Sequence, residues 1–210
     1  MNDYVLRTRE VGKKFGDFHA LQNAGIEIKR GQIYGLIGKN GAGKTTLMKI
    51  VTGLISRYDG EVELFGKTGE KNLSAERRKI GQIIETPAIY PDMTAVQNLE
   101  IQRIISGRPQ RGVIKRCLEK VNLTDTGRKK VSDFSLGMKQ RLSLAMALIS
   151  KPEFLILDEP VNGLDPKGIV ETREFLRHLA QDRDITIMLS SHLLDELSQI
   201  ATHYGIIHQG

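Results

Sequence analysis

The sequence predicts an α/β fold: a mostly parallel sheet core, a small antiparallel β subdomain near the start, and an inserted helical lobe. Three observations carry that prediction. A glycine-rich loop stands between an apolar run and an amphipathic one, and helical spacing dominates the middle of the chain. The last third alternates short apolar runs with helical ones, the pattern of parallel strands covered by helices.

Taken in order, Tyr4 to Ile28 alternates loosely and is broken by Gly12, Gly16 and Gly25, which predicts antiparallel strands with turns. Ile33 to Ile37 is an apolar strand, and the run after the glycine-rich loop places Leu47, Ile50, Val51 and Leu54 at helical spacing, with Gly53 as a C-cap. Gly60 to Gly66 reads as a short strand, Ser74 to Lys79 as a brief helix, and Ile80 to Ile84 as a strand ended by Glu85-Thr86-Pro87. From Thr94, which opens a capping box with Gln97, helical spacing runs to Lys130, with Ile114, Cys117, Leu118 and Val121 on one face. Leu142 to Ile149 is apolar nearly all round. Beyond it come a strand at Phe154 to Leu157, a helix with Ile169, Thr172, Leu176 and Leu179 on one face, and a strand at Ile185 to Leu189. A short helix to Ile200 and a strand at Tyr204 to Ile207 complete the pattern. The expected organisation is one domain, with an α/β core over about 1–85 and 150–210 and a helical lobe over about 90–149. A further C-terminal part is expected beyond Gly210.

At 210 residues the chain can bury a full core without staples. Its single cysteine, Cys117, excludes an internal disulfide framework and a cysteine-rich metal site, and it fits a packed thiol in a reducing compartment. The formal net charge of +6 comes from scattered short runs such as Lys13-Lys14, Arg77-Arg78-Lys79 and Arg128-Lys129-Lys130, which read as solvated faces and do not argue for nucleic acid. No apolar run approaches the ~18 residues of a membrane span, and no signal peptide is read at the start.

The chemistry begins at Gly38-Lys39-Asn40-Gly41-Ala42-Gly43-Lys44-Thr45, followed by Thr46. This is the P-loop pattern G-x-x-x-x-G-K-[ST], in the strand–loop–helix order that the motif requires. Glycines let the backbone curl around a phosphate chain with successive N–H groups turned inward, and the helix that follows points its positive end at the anion. Lys44 is expected at the β- and γ-phosphates, Thr45 on Mg²⁺, and Thr46 behind the phosphate cradle. Lys39 either adds a second cation or faces solvent. Phe15, on the turn after Lys14, is either a stacking platform for the nucleobase or an edge residue of the small sheet.

Phe154 to Leu157 delivers the adjacent carboxylates Asp158 and Glu159 to the sheet edge where ligands bind in parallel folds. Asp158 is expected in the Mg²⁺ shell and Glu159 as the group that orients or polarises the attacking water. Ser190-Ser191-His192 follows the next strand to the same edge. His192 is placed to contact the γ-phosphate and water, while a serine there could simply cap a helix.

Phe134-Ser135-Leu136-Gly137-Met138-Lys139-Gln140-Arg141 then resembles the L-S-G-G-Q signature of ATP-binding cassette ATPases. With the P-loop, Asp158-Glu159, the Asn162-Gly163-Leu164-Asp165 segment, similar to the family's D-loop, and His192, similar to its H-loop histidine, the resemblance covers nearly the whole chain from Phe15, at the A-loop aromatic.

It implies a P-loop NTPase fold and ATP hydrolysis with Mg²⁺ in a head-to-tail dimer, where Ser135 and Gly137 act in trans on nucleotide held by the second chain's P-loop. Leu136 and Met138 depart from the consensus, keeping the serine and second glycine while losing some polar grip. Glu85 stands where most of the family has a glutamine that joins the Mg²⁺ and water site to a membrane partner. In this it looks like the ATPase subunits of lantibiotic and bacitracin-type peptide exporters, although a surface carboxylate ending a strand is the plainer alternative. The implied protein is the cytoplasmic ATPase of a peptide-antibiotic exporter, peripheral on the membrane through a separate subunit. The competing expectation is a soluble cassette ATPase acting on ribosomes or nucleic acid.

Overall fold

The computed structural model describes residues 3–85, 88–107, 112–183 and 185–210; Thr86 and Pro87, read above as part of a strand end, lie outside them. The chain opens with three strands, β1 (Tyr4–Phe15), β2 (Phe18–Ala24) and β3 (Glu27–Lys29). It continues through β4 (Ile33–Ile37), helix α1 (Lys44–Val51), β5 (Asp59–Leu64), α2 (Glu70–Glu76) and β6 (Ile80–Ile83). Helices α3 (Ala95–Ile105), α4 (Val113–Lys120) and α5 (Leu136–Leu148) lie between β6 and β7 (Phe154–Leu157). The last elements are α6 (Pro166–Arg183), β8 (Thr186–Ser191), α7 (Leu194–Ser198) and β9 (His203–Ile206).

The strands form two sheets. β1 pairs antiparallel with β2, β3 and β5, while β6-β7-β8-β4-β9 form a five-stranded sheet in which every described pairing is parallel. Side chains alternate across the parallel sheet. Phe154, Ile156 and Met188 face a core shared with α1 and the antiparallel strands, whereas Leu155, Leu157, Ile187 and Leu189 face a second core shared with α5, α6 and the lobe helices. A strand buried on both faces reads as a continuous apolar run, which is why Phe154-Leu155-Ile156-Leu157 shows no polar alternation. α5 is apolar nearly all round because Leu142, Leu144, Ala145 and Leu148 are all buried in the second of those cores.

Several boundaries differ from expectation. α1 ends at Val51 and Gly53 turns the chain at φ 81°, so Leu54 leaves the helix and is 59% exposed instead of lying on its core face. The turn is enforced by Arg77, whose guanidinium would meet a Cβ at Gly53 at 2.8 Å and whose Nε donates to the Val51 carbonyl at 3.1 Å. A cation there satisfies a terminal carbonyl and complements the helix dipole.

The same arginine pairs with Glu70 at the start of α2, so the helix begins four residues earlier than Ser74 and only a 3-10 turn covers Arg77–Lys79. The Thr94–Gln97 capping box is present, with the Thr94 N–H donating to Gln97 Oε1 at 2.9 Å. Helical structure nevertheless stops at Lys120, and the following stretch to Asp133 holds only 3-10 turns at Thr124–Thr126 and Val131–Asp133.

Candidate functional site

Parallel register brings three strand ends together. Ile37 lies beside Ser191, and Leu157 beside Leu189, so the residues that follow β4, β7 and β8 emerge at one edge of the sheet. The loop after β4 curls through Gly41 at φ 80° and Gly43 at φ 108° before α1 begins at Lys44. Both glycines adopt backbone that L side chains avoid. Gly43 is further constrained, since a Cβ there would sit 2.5 Å from the Ala20 carbonyl oxygen of β2. Lys39, Asn40 and Gly41 form the exposed tip, while Ala42 is buried.

Lys44 is buried, and its Nζ donates to the Gly38 and Lys39 carbonyls at 2.7 and 3.2 Å. It also stands 3.5 Å from Glu159 Oε1. Thr45 Oγ1 donates to Asp158 Oδ2 at 2.6 Å, and Ser190 Oγ donates to the other carboxylate oxygen at 2.5 Å. The same serine oxygen accepts the Glu159 N–H at 2.9 Å. Ser190 therefore brackets both acids and does not cap α7, whose N-cap is Leu193 without a side-chain bond. Ser191 is also engaged elsewhere, donating to Glu196 at 2.6 Å and accepting the Leu193 N–H at 3.0 Å.

Glu159 has a left-handed backbone, φ 47°, unusual for a residue with a side chain. Its Oε2 lies 3.2 Å from His192 Nδ1 and accepts from Asn162 Nδ2 at 3.2 Å. Lys44, Glu159 and His192 thus meet around one carboxylate, and Thr45 and Asp158 meet beside it. A hydroxyl and a carboxylate oxygen in contact are the hard donors that Mg²⁺ prefers. Among the described residues no group of three or more His, Cys, Asp or Glu side chains forms a metal site.

Other expected residues stand apart from this cluster. Glu85, at φ 58°, pairs with Lys49 of α1 at 2.5 Å and not with Thr45 or Asp158. Phe15 ends β1 opposite Phe18, is 52% exposed, and carries Lys13 Nζ over its ring at 5.0 Å. Its hairpin reaches the P-loop through Ala20 and Leu21 of β2, the residues that crowd Gly43. Phe18 is a second exposed aromatic on that turn. The Ser135 side chain caps α5 by accepting the Met138 N–H at 3.3 Å, and Gly137 has open space where a Cβ would stand. Leu136 packs back on its own chain, since a Cβ at Gly163 would lie 3.2 Å from Leu136 Cδ2.

Two contacts were not anticipated from sequence, the Ser190 bracket and the Asn162 bond to Glu159. The only sequence signal for the first was a polar pair ending an apolar strand, and the second depends on how tightly the chain turns after Glu159.

The family model described as ABC transporter matches residues 21–162. The bacitracin transport ATP-binding protein BcrA of Bacillus licheniformis is 46% identical over 206 residues, 98% of this chain and 67% of that protein. The lantibiotic transport ATP-binding protein SrtF of Streptococcus pyogenes is 41% identical over 206 residues, 98% of this chain and 88% of its own length. Among solved structures, a nucleotide-free ATP-binding cassette from an ABC transporter superposes with a TM-score of 0.88 at 25% identity, covering 99% of this chain and 88% of that one. A dimeric cassette in a post-hydrolysis state bound to ADP and Pi gives 0.86 at 25% identity, covering 98% and 95%. The five-stranded parallel sheet, the P-loop at its edge and the sequence match together identify the chain as a member of the ABC transporter family, an ATP-binding cassette.

Proposed function

We propose that the chain binds ATP with Mg²⁺, hydrolyses it in a head-to-tail dimer, and energises export of a peptide antibiotic through a separate membrane subunit. The observation that carries hydrolysis is the Glu159 carboxylate held between Lys44 and His192 at the sheet edge, beside the Thr45–Asp158 pair. Peptide export is supported by the bacitracin and lantibiotic transport relatives.

Phosphoryl transfer to water asks the protein chiefly for position and for charge where charge develops. The inward N–H groups of the Gly38–Gly43 loop and the Lys44 ammonium cradle the phosphates. Thr45 and Asp158 are the residues that would hold Mg²⁺, which would offset phosphate charge when bound. Glu159 aligns the attacking water, and His192 contacts that water and the γ-phosphate. Phe15 stacks on the base. Ser135 and Gly137, at the exposed start of α5, complete the second chain's site through the positive end of the helix.

A cleft of about 850 Å³ is walled by β6, α3 and α5, with Leu54, Ile84, Ile105 and Met146 on its lining; Ile84 directly precedes Glu85, which pairs with Lys49. We seat the membrane subunit there, and Glu85 is its link to the nucleotide. No helix among the described residues is long and apolar enough to cross a membrane. The test is Glu159→Gln. ATP binding should persist, turnover should fall to background, and an ATP-bound dimer should accumulate by gel filtration; wild-type turnover in that variant would reject the assignment.

A further inference from the structure

We propose that Asn162 is a positioning residue for Glu159, and that Leu136 holds the turn carrying it. This rests on the reading of Glu159 as the group that aligns water.

The strained backbone at Glu159 is the starting point. A side-chain-bearing residue at φ 47° persists when its surroundings over-determine it. Here two backbone bonds do so: the Glu159 N–H donates to Ser190 Oγ at 2.9 Å, and its carbonyl accepts the Asn162 N–H at 3.1 Å. The second bond closes a tight turn from Glu159 to Asn162, which returns the Asn162 amide to the carboxylate at 3.2 Å. Asn162 thus grips Glu159 by both main chain and side chain.

The other groups at this carboxylate are cationic or titratable. Lys44 stands at Oε1, and His192 shares Oε2 with Asn162. Both are assigned to the phosphates when nucleotide is present, and a group drawn to a phosphate leaves the carboxylate less restrained. Asn162 is neutral and bound to the same turn, so it fixes the direction of the carboxylate without neutralising it. The next residue, Gly163 at φ 74°, lies against Leu136, and Asp165 Oδ1 accepts the Gly168 N–H at 3.0 Å as α6 begins. The turn thus runs on into α6 on one side and lies beside the first residue of α5 on the other. In this chain the leucine that departs from the signature consensus supplies that second contact, although it remains 55% exposed.

The test is steady-state hydrolysis by Asn162→Ala, with Glu159→Gln measured beside it. Asn162 is exposed, so the fold should survive, and ATP binding by equilibrium dialysis checks this. Loss of a hydrogen bond to a charged group should lower kcat by about tenfold while KM for ATP stays within about twofold. Leu136→Ala should lower kcat in the wild-type chain but add no further loss to Asn162→Ala, and Leu136→Met should restore the rate. An unchanged kcat, or a raised KM alone, in Asn162→Ala overturns the role of Asn162. Equal losses from Leu136→Ala in both backgrounds overturn the role of Leu136. Wild-type turnover in Glu159→Gln removes the reading beneath both.

Discussion

The edge of the parallel sheet and the start of α5 are built in opposite ways. At the sheet edge every expected acid and base already has a partner in its own chain: Thr45 and Ser190 on Asp158, and Lys44, His192 and Asn162 on Glu159. At the start of α5, the Ser135 side chain makes one bond, of 3.3 Å, to its own helix, and open space surrounds the Cβ position of Gly137. Lys44 and Ser190 are buried, where polar groups must be paired, so the first region's contacts form as the chain folds. The second is exposed, and its helix end is free to meet an anion from outside. The contrast supports a composite site, with one region holding nucleotide and the other covering nucleotide held elsewhere.

The largest expected effect comes from separating the two regions onto different chains. Lys44→Ala disables the holding region and Ser135→Arg the covering one, so each homodimer should be inactive. Mixed dimers keep one site with both parts intact and should hydrolyse ATP above either parent. If mixed dimers form and remain silent, the composite reading loses its support.

Two glycines sharpen the comparison in stability. Gly43→Ala would force a left-handed backbone at φ 108° and a 2.5 Å approach to the Ala20 carbonyl, so urea denaturation should show a loss of about 2 kcal/mol or more. Gly137→Ala meets open space within a helix, so stability should hold or rise by up to about 1 kcal/mol. The ATP-driven dimer should nevertheless weaken. A Gly137→Ala chain that unfolds early, or a Gly43→Ala chain that does not, would erase the distinction.

The smallest effect concerns the body of the lobe. If α5 is open only at its tip, the helix packed beside it should be closed. Cys117 of α4 is 3% exposed, and burial pushes its thiol pKa up. The thiolate is the nucleophile, so iodoacetamide at mildly alkaline pH should leave the native thiol unmodified and label it in urea. Rapid native labelling would mean that the lobe opens as a whole.

Much of this was legible because periodicity and motif chemistry are local. The all-apolar Phe154–Leu157 could only be a strand buried on both faces, and glycines spaced as Gly38, Gly41 and Gly43 before Lys44-Thr45 leave few alternatives to a phosphate cradle. Errors arose where a distant side chain decided a boundary. Arg77 reaches back to the last carbonyls of α1, which moved Leu54 into solvent, and its pairing with Glu70 moved the start of α2. Glu85, expected to join the Mg²⁺ site to a membrane partner, pairs with Lys49 of α1, a contact that no local pattern announces.

By itself, then, the sequence determined which residue types stand at the ends of which strands, because a strand or helix announces itself through the spacing of its apolar residues. Only tertiary structure decided how those ends meet. Ser190 touches Asp158 and Glu159 because β8 lies directly beside β7, a neighbour relation that no local pattern encodes. Asn162 reaches the Glu159 carboxylate because the backbone takes a left-handed turn there, with the Glu159 N–H bonded to the Ser190 hydroxyl.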